Sequence, residues 1–351
     1  MLNGNVKAMD RPTFSWDPTT LREVPADVDA AREYANALLA RYRDLADQRE
    51  QRAQIVAELI QWLRMSEQYT RAEEIARGSL RLRGGDDIIT ALEEGRPVPV
   101  IAPELIRPAL RFATALQWNS ADSAERFGQA ADLFDACVTS AHIVCLRSGD
   151  AQRRDMYETY AFTLQHRAKF RLANDELIAA LRDANLGLRV REVEELPRDQ
   201  IESSQFAVSS IVQRLESLIA DLELSAGASV TTETFAAGDR SGVGAVQAGQ
   251  RIGPWLFWYK SGALKAAGWY VDDQLDGPWI WFRDHGLLLQ EGSFIHNRQE
   301  GPWIRYYTNG RILDQGTFHD GEKVGDWFTF HEDGSVRSTR RHTRKGRWLR
   351  R

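Results

Sequence analysis

Residues 277–300 read GPWIWFRDHGLLLQEGSFIHNRQE, and the residues that follow begin with the same Gly-Pro-Trp. The unit recurs with a period of 24 residues, so a Gly-x-Trp stands at Gly253/Trp255, Gly277/Trp279, Gly301/Trp303 and Gly325/Trp327. Two further sets of glycines keep the same period, Gly262, Gly286, Gly310 and Gly334, and Gly268, Gly292 and Gly316. Such a period indicates a supersecondary unit that buries its apolar face by stacking on copies of itself.

Each unit has the pattern of a β-hairpin. The first and third residues after each tryptophan are apolar, which is the alternation of a strand with one buried face. A dipeptide ending in glycine follows, such as Asn309-Gly310, and this type of pair favours a tight turn. The second strand passes through a glycine of the Gly268 set, where we expect the missing side chain to leave room for a neighbouring ring.

The second and fourth residues after each tryptophan vary between units. We expect them to form an exposed stripe, because the positions between them are consistently apolar. Aromatic and arginine side chains are common in protein-binding hot spots, and this stripe contains both. The predicted partner-binding residues are Phe257, Tyr259, Trp281, Arg283, Arg305, Tyr307, Thr329 and His331.

In these Gly-Trp-aromatic hairpins, over about residues 244–336, the chain resembles the MORN-repeat-variant family. The resemblance implies a stacked array of antiparallel β-hairpins and an antitoxin-type binding role, the label that many bacterial members carry. Lipid binding is claimed for eukaryotic relatives. Residues 226–243, rich in small residues, are interpreted as a flexible linker and a degenerate half-repeat, and residues 337–351 as a basic tail.

Residues 25–225 are predicted to be helical, after an N-terminal arm of residues 1–24. Pro25 followed by Ala26-Asp27 indicates a helix start, and residues 27–66, which lack glycine and proline, predict one long helix or two. Breaks are expected at Gly84-Gly85 and between Pro97 and Pro103. The fold class is therefore α+β and multidomain.

Three segments of the helical region place an aromatic residue three positions before an alanine: Tyr69/Ala72, Phe127/Ala130 and Phe170/Ala173. Each is interpreted as the start of an amphipathic helix. In this the region resembles tetratricopeptide repeats, in which a small alanine lets paired helices approach closely. The spacing is irregular, so a generic helical bundle is the alternative.

The two halves of the chain differ in charge. From Arg251 onward there are 16 Lys and Arg against 12 Asp and Glu, and before it 29 against 38. The segment after Gly334 has eight basic residues and no acidic one, so a phosphate-binding tail is an open alternative, with Arg340, Arg341, Arg344 and Lys345 as anion-binding candidates. In the other interpretation, these charges discourage the exposed edge of the last strand from pairing with a further strand.

No motif for phosphate binding, zinc hydrolysis, paired thiols or a serine nucleophile occurs in the sequence, so neither an enzyme nor a metal or cofactor site is predicted. Cys137 and Cys145 are expected to be free, buried thiols. The N-terminus lacks the apolar run of a signal peptide, and we expect a cytoplasmic protein. The predicted function is binding to a toxin, protease or other effector protein; the alternative is an adaptor for nucleic acid or anionic lipid.

Overall fold

The computed structural model describes residues 10–121, 123–147 and 150–343. The chain divides into two compact units between Asn174 and Asp175. We call the first the helical unit and the second the sheet unit. The sequence places the domain change at residue 225, where helix gives way to strand, whereas the compact sheet unit also contains the two preceding helices.

The helical unit begins with a short hairpin inside the segment expected to be an arm. Its elements are β1 (Phe14–Trp16), β2 (Glu23–Pro25), α1 (Val28–Asp44), α2 (Arg49–Met65), α3 (Tyr69–Arg81), α4 (Asp86–Glu93), α5 (Pro103–Trp118), α6 (Ala124–Arg147) and α7 (Asp150–Ala173). The Asp27 side chain accepts hydrogen bonds from the backbone N–H groups of Asp29 and Ala30, which fixes the start of α1. Residues 27–66 thus form two helices.

The aromatic-x-x-Ala segments do not all open a helix. Tyr69 begins α3 and Phe127 lies in the first turn of α6, but Phe170 lies in the last turn of α7, so the interpretation is wrong there. The Phe127 and Phe170 rings stack on each other with centroids 5.3 Å apart. The third segment supplies a packing partner for the second rather than a further repeat.

Cys137 and Cys145 are buried thiols and form no disulfide among the described residues, as the sequence predicts. Burial raises the pKa of the Cys137 thiol, so the protonated form persists in this environment. Among the helices within the described ranges, none combines the length and the apolarity needed to cross a membrane.

The sheet unit is two helices followed by one antiparallel sheet. Its elements are α8 (Leu177–Val193), α9 (Arg198–Ala226), β3 (Ser229–Thr234), β4 (Arg240–Gln247), β5 (Gln250–Trp258), β6 (Leu264–Val271), β7 (Gln274–Phe282), β8 (Leu288–Ile295), β9 (Arg298–Tyr306), β10 (Ile312–His319), β11 (Glu322–Phe330) and β12 (Val336–His342). Each strand pairs with the next one along the chain, from β3 to β12. The predicted stack of hairpins is confirmed.

One hairpin lies where the sequence predicts a flexible linker. β3 pairs with β4 over Ser229–Thr234, and β4 continues the ladder to β5. Helix α9 packs against β3, β4 and β5, and α8 against β7. The small residues of this segment therefore belong to an ordered hairpin, which a helix covers.

Candidate functional site

The four tryptophans at the 24-residue period lie on one face of the sheet, which we call the tryptophan face. Each ring lies over a glycine of the preceding strand. A Cβ atom added to Gly292 would lie 1.8 Å from Trp303 Cε3, and one added to Gly268 would lie 2.0 Å from Trp279 Cδ2. The expectation that these glycines leave room for a ring is confirmed.

Hydrogen bonds hold the rings in place. The indole Nε1 of Trp279 donates to the backbone oxygen of Trp269 at 3.0 Å, and that of Trp327 donates to Thr317 at 3.2 Å. Because the polar edge of the indole is satisfied inside the sheet, the ring plane is fixed without a ligand. The four tryptophan side chains are all buried.

Substitution of Gly292 by alanine tests this packing. We expect Gly292→Ala to destabilise the sheet unit by about 3 kcal/mol, because the new methyl group overlaps the Trp303 ring. Gly242→Ala is the matched control, since its Cβ would lie 3.1 Å from the nearest atoms of Glu233 and Phe257. We expect the control to cost about 1 kcal/mol or less. Urea denaturation monitored by far-UV circular dichroism measures both, and equal midpoints would contradict the steric argument.

A row of stacked rings crosses the tryptophan face. We define the aromatic row as Trp255, Phe257, Trp279, Trp281 and Trp303. Neighbouring ring centroids in the row lie 5.5 to 6.3 Å apart. Further rings meet the tryptophans edge-on, namely Tyr270, Phe294 and Phe318. Such pairs of rings stabilise each other beyond simple burial, so the row is a rigid aromatic surface.

Cationic side chains lie over the outer tryptophans. The Arg251 guanidinium lies 5.1 Å from the Trp255 ring centroid and donates to Tyr270 Oη at 3.1 Å. Burial alone would lower the pKa of Arg251, but the Tyr270 bond and nearby acidic groups outweigh it and raise that pKa. The Lys323 ammonium lies 3.7 Å from the Trp327 ring centroid. The face thus combines aromatic planes with fixed positive charge.

The second-position residues of the predicted stripe lie on the tryptophan face. Phe257 and Trp281 are half-buried members of the aromatic row, Arg305 is exposed, and Thr329 is half-buried. Arg305 forms a two-pronged ion pair with Asp314 on the next strand, and its Nε–Oδ1 distance is 2.8 Å. This bond to Asp314 raises the pKa of Arg305 and holds its guanidinium in place.

The fourth-position residues of the predicted stripe form hydrogen bonds between neighbouring units. Three of them donate a hydrogen bond to the backbone oxygen of the third-position residue in the next unit, each at 2.8 Å: Tyr259 to Phe282, Arg283 to Tyr306, and Tyr307 to Phe330. We call these bonds the inter-repeat clamps. All three side chains are half-buried, and His331 is exposed. Of the eight residues in the predicted stripe, Arg305 and His331 are exposed and the other six are half-buried.

The opposite face of the sheet carries a buried ionic network that the sequence does not reveal. Arg182 of α8 donates to Glu291 of β8 through Nε at 3.0 Å and Nη2 at 2.9 Å. Its Nη1 donates to Asp183 at 2.7 Å, and Tyr306 donates its hydroxyl to Glu291. Burial alone would raise the pKa of Glu291, but the Arg182 charge outweighs it and lowers that pKa. The network attaches α8 to the sheet.

The basic tail is described only in part. Arg340 and Arg341 are exposed on β12, where Arg340 pairs across from Trp327. Arg341 lies 3.9 Å from Asp326. Arg344 and Lys345 lie outside the described residues, so the proposed anion-binding set stays a prediction.

A family model for the MORN repeat variant matches residues 299–320, which lie within β9 and β10 and the turns that flank them. The resemblance seen in the hairpin motifs is thus confirmed for the C-terminal third. No curated protein matches the chain. MORN repeats are in general modules that bind proteins or membranes.

Proposed function

We propose that this protein is a non-enzymatic interaction module that binds another protein through the tryptophan face. The most concrete form is an antitoxin-like or regulatory binder, which restrains or scaffolds an effector protein in a bacterial conflict or defence system. The partner would be a toxin, a protease or another effector subunit. The antitoxin role rests on the family resemblance alone.

The observation that carries the proposal is the aromatic row beside Arg305. Phe257 and Trp281 keep part of each ring in water although the flanking tryptophans are buried. Rigid aromatic side chains lose little conformational entropy on binding, and together with arginine they dominate protein-binding hot spots. Helix α8 engages the sheet from the opposite face, through Arg182 and Glu291.

The repeat itself suggests variants that test this surface without breaking the fold. Threonine occupies the second position in the fourth unit, at Thr329, so Trp281→Thr and Arg305→Thr place a side chain that the hairpin already accommodates. His285→Ala, at an exposed turn position, is the matched control. We expect each of the two variants to weaken the affinity for the partner by about tenfold or more, and the control to leave it unchanged.

The measurement has two stages. Quantitative affinity capture from the source cells first selects proteins that bind the unaltered chain and the control but not the two variants. Titration of the purified partner then gives dissociation constants, and hydrogen exchange locates the protected segments. Protection confined to the helical unit would reject the tryptophan face as the binding surface.

A titration of the chain with RNA or DNA at several salt concentrations tests the nucleic-acid alternative. Binding through phosphates weakens steeply as salt rises, with a slope set by the number of phosphates neutralised. RNA or DNA binding that persists at physiological salt, and that is lost when Arg340 and Arg341 are replaced by glutamine, would make the adaptor function the better account. We expect no such binding, because the chain as a whole carries a net charge of −5.

A further inference from the structure

A cavity of about 410 Å3 lies in the helical unit, among the end of α1, the start of α2 and the end of α3. This volume is in the range of ligand-binding pockets. We call it the arginine pocket, and its defining residues are Tyr42, Arg49, Glu50, Arg52, Leu82 and Arg83. It is separate from the tryptophan face and is independent of the function proposed above.

The pocket is positively charged. Arg49, Arg52 and Arg83 line it with three guanidinium groups, and Glu50 supplies one carboxylate, which leaves a net charge of +2 at neutral pH. The ion pairs between described residues include no bond from these arginines to Glu50. Three arginine side chains that line one cavity carry like charges, and a bound anion would reduce the repulsion between them.

Two of the arginines are held in place by the fold. The Arg52 guanidinium lies 3.9 Å from the centroid of the buried Tyr42 ring, and its Nε is buried without a hydrogen-bond partner among the described residues. Arg49 donates through Nη2 to the backbone oxygen of Leu82 at the end of α3. The positive charge of the Arg52 guanidinium would attract an anion that enters the pocket.

The remaining walls are mostly apolar, with Ser79 as a polar exception. Ala53 lies one turn of helix after Arg49, and Val56 lies one turn after Arg52. Leu82, which is 51% exposed, lies on the other side. A hydrated inorganic ion would leave these apolar walls in contact with water. An apolar chain or ring attached to the anionic group would cover them and remove their area from water.

From this arrangement we infer that the arginine pocket binds a small amphipathic anion, an organic carboxylate or sulfonate with an apolar body. The anionic group contacts Arg52 and Arg49, and the apolar body lies against Val56 and Leu82. Bidentate guanidinium contacts give such a site its preference for planar or forked oxyanions.

The test uses the full chain and the fluorescent probe 8-anilinonaphthalene-1-sulfonate, which carries a sulfonate on an apolar ring system. We expect saturable binding with a rise in fluorescence, and displacement of the probe by octanoate. Acetate has the charge without the apolar body, and 1-octanol has the apolar body without the charge. We expect both to displace the probe at least about tenfold more weakly than octanoate does.

Three variants locate the site. Arg52→Gln removes the guanidinium, and we expect the octanoate inhibition constant to rise about tenfold or more. Ala53→Phe fills the cavity and should abolish displaceable probe binding. Arg71→Gln, an exposed arginine of α3 outside the pocket, should leave both probe and octanoate binding unchanged. Circular dichroism confirms that each variant is folded.

The inference fails if no saturable probe binding occurs. It also fails if 1-octanol displaces the probe as well as octanoate does, because the arginines then contribute nothing. Folded Arg52→Gln and Ala53→Phe variants that bind octanoate as the unaltered chain does would place the ligand elsewhere and overturn the assignment.

Discussion

Replacement of Trp303 by alanine is expected to lower the local unfolding free energy of the sheet by about 3 to 5 kcal/mol, as large truncations in a packed core do. The Trp303 ring is only 3% exposed. It contacts Trp281, Phe294 and Phe318 at centroid distances of 5.3 to 6.0 Å. Its loss leaves a cavity above Gly292 and interrupts the aromatic row.

Native-state hydrogen exchange of peptides from β8 to β10 measures this local free energy. The control is Trp281→Ala, which removes a ring of the same type that is more exposed than Trp303, and we expect a clearly smaller cost. A loss below about 1 kcal/mol in the Trp303 variant would mean that the ring is a binding group rather than part of the core.

The second large effect concerns the ionic network beneath the sheet. Arg182→Met is expected to destabilise the sheet unit by about 3 to 5 kcal/mol at neutral pH, because it leaves the Glu291 and Asp183 carboxylates without their shared cation. The Arg182 side chain is 15% exposed and that of Glu291 20%, so solvent screens the loss only in part. Arg198→Met is the control, since Arg198 is 91% exposed in its pair with Glu202 and should cost well under about 1 kcal/mol.

The pH dependence should change sign in the Arg182 variant. In the unaltered chain the folded-state pKa of Glu291 lies below its unfolded value, so the stabilisation is present at neutral pH and is lost as pH falls through the folded pKa. Without Arg182, burial raises the pKa of Glu291 instead, and acidification then relieves part of the defect. Urea denaturation between neutral and mildly acidic pH measures this. A variant that loses stability on acidification as the unaltered chain does would contradict the network.

The sequence predicts the hairpins and the steric role of the glycines, because both repeat at the same phase in every unit. Gly292 and Trp303 stand one unit from Gly268 and Trp279, so one geometric explanation covers both pairs. A periodic pattern reports local geometry well, since every copy must satisfy the same packing.

The sequence does not predict the inter-repeat clamps or the ionic network, because these are formed by residues that differ between repeats or lie far apart in the chain. Tyr259 and Arg283 look like unrelated variable residues, although both place a hydrogen-bond donor at the same distance from the backbone. Glu291 stands where the other units have Ala267 and Gln315, and this acidic side chain at a position without charge in the other units is a sequence signal of the network. Its partner on α8 cannot be read from that signal.

The arginine pocket is a further case of this kind. Arg49 and Arg52 are three residues apart on one helix and therefore share a face, but Arg83 comes from the end of another helix. Only the packing of α1, α2 and α3 brings their guanidinium groups to one cavity. Charge composition alone would suggest solvated arginines on a helix surface.

The inter-repeat clamps limit how the array can change in length. Each donor reaches an acceptor 23 residues further along the chain. Duplication or deletion of one whole 24-residue unit leaves every donor with an acceptor, whereas an insertion of another length shifts the clamps out of register. The unit that carries Glu291 is the exception, because its bond to Arg182 ties it to a single helix. Tyr306 of the following unit also bonds to Glu291. Recombination can therefore lengthen or shorten the array on the C-terminal side of the unit that carries Tyr306, and this adjusts the extent of the tryptophan face while its attachment to α8 stays fixed.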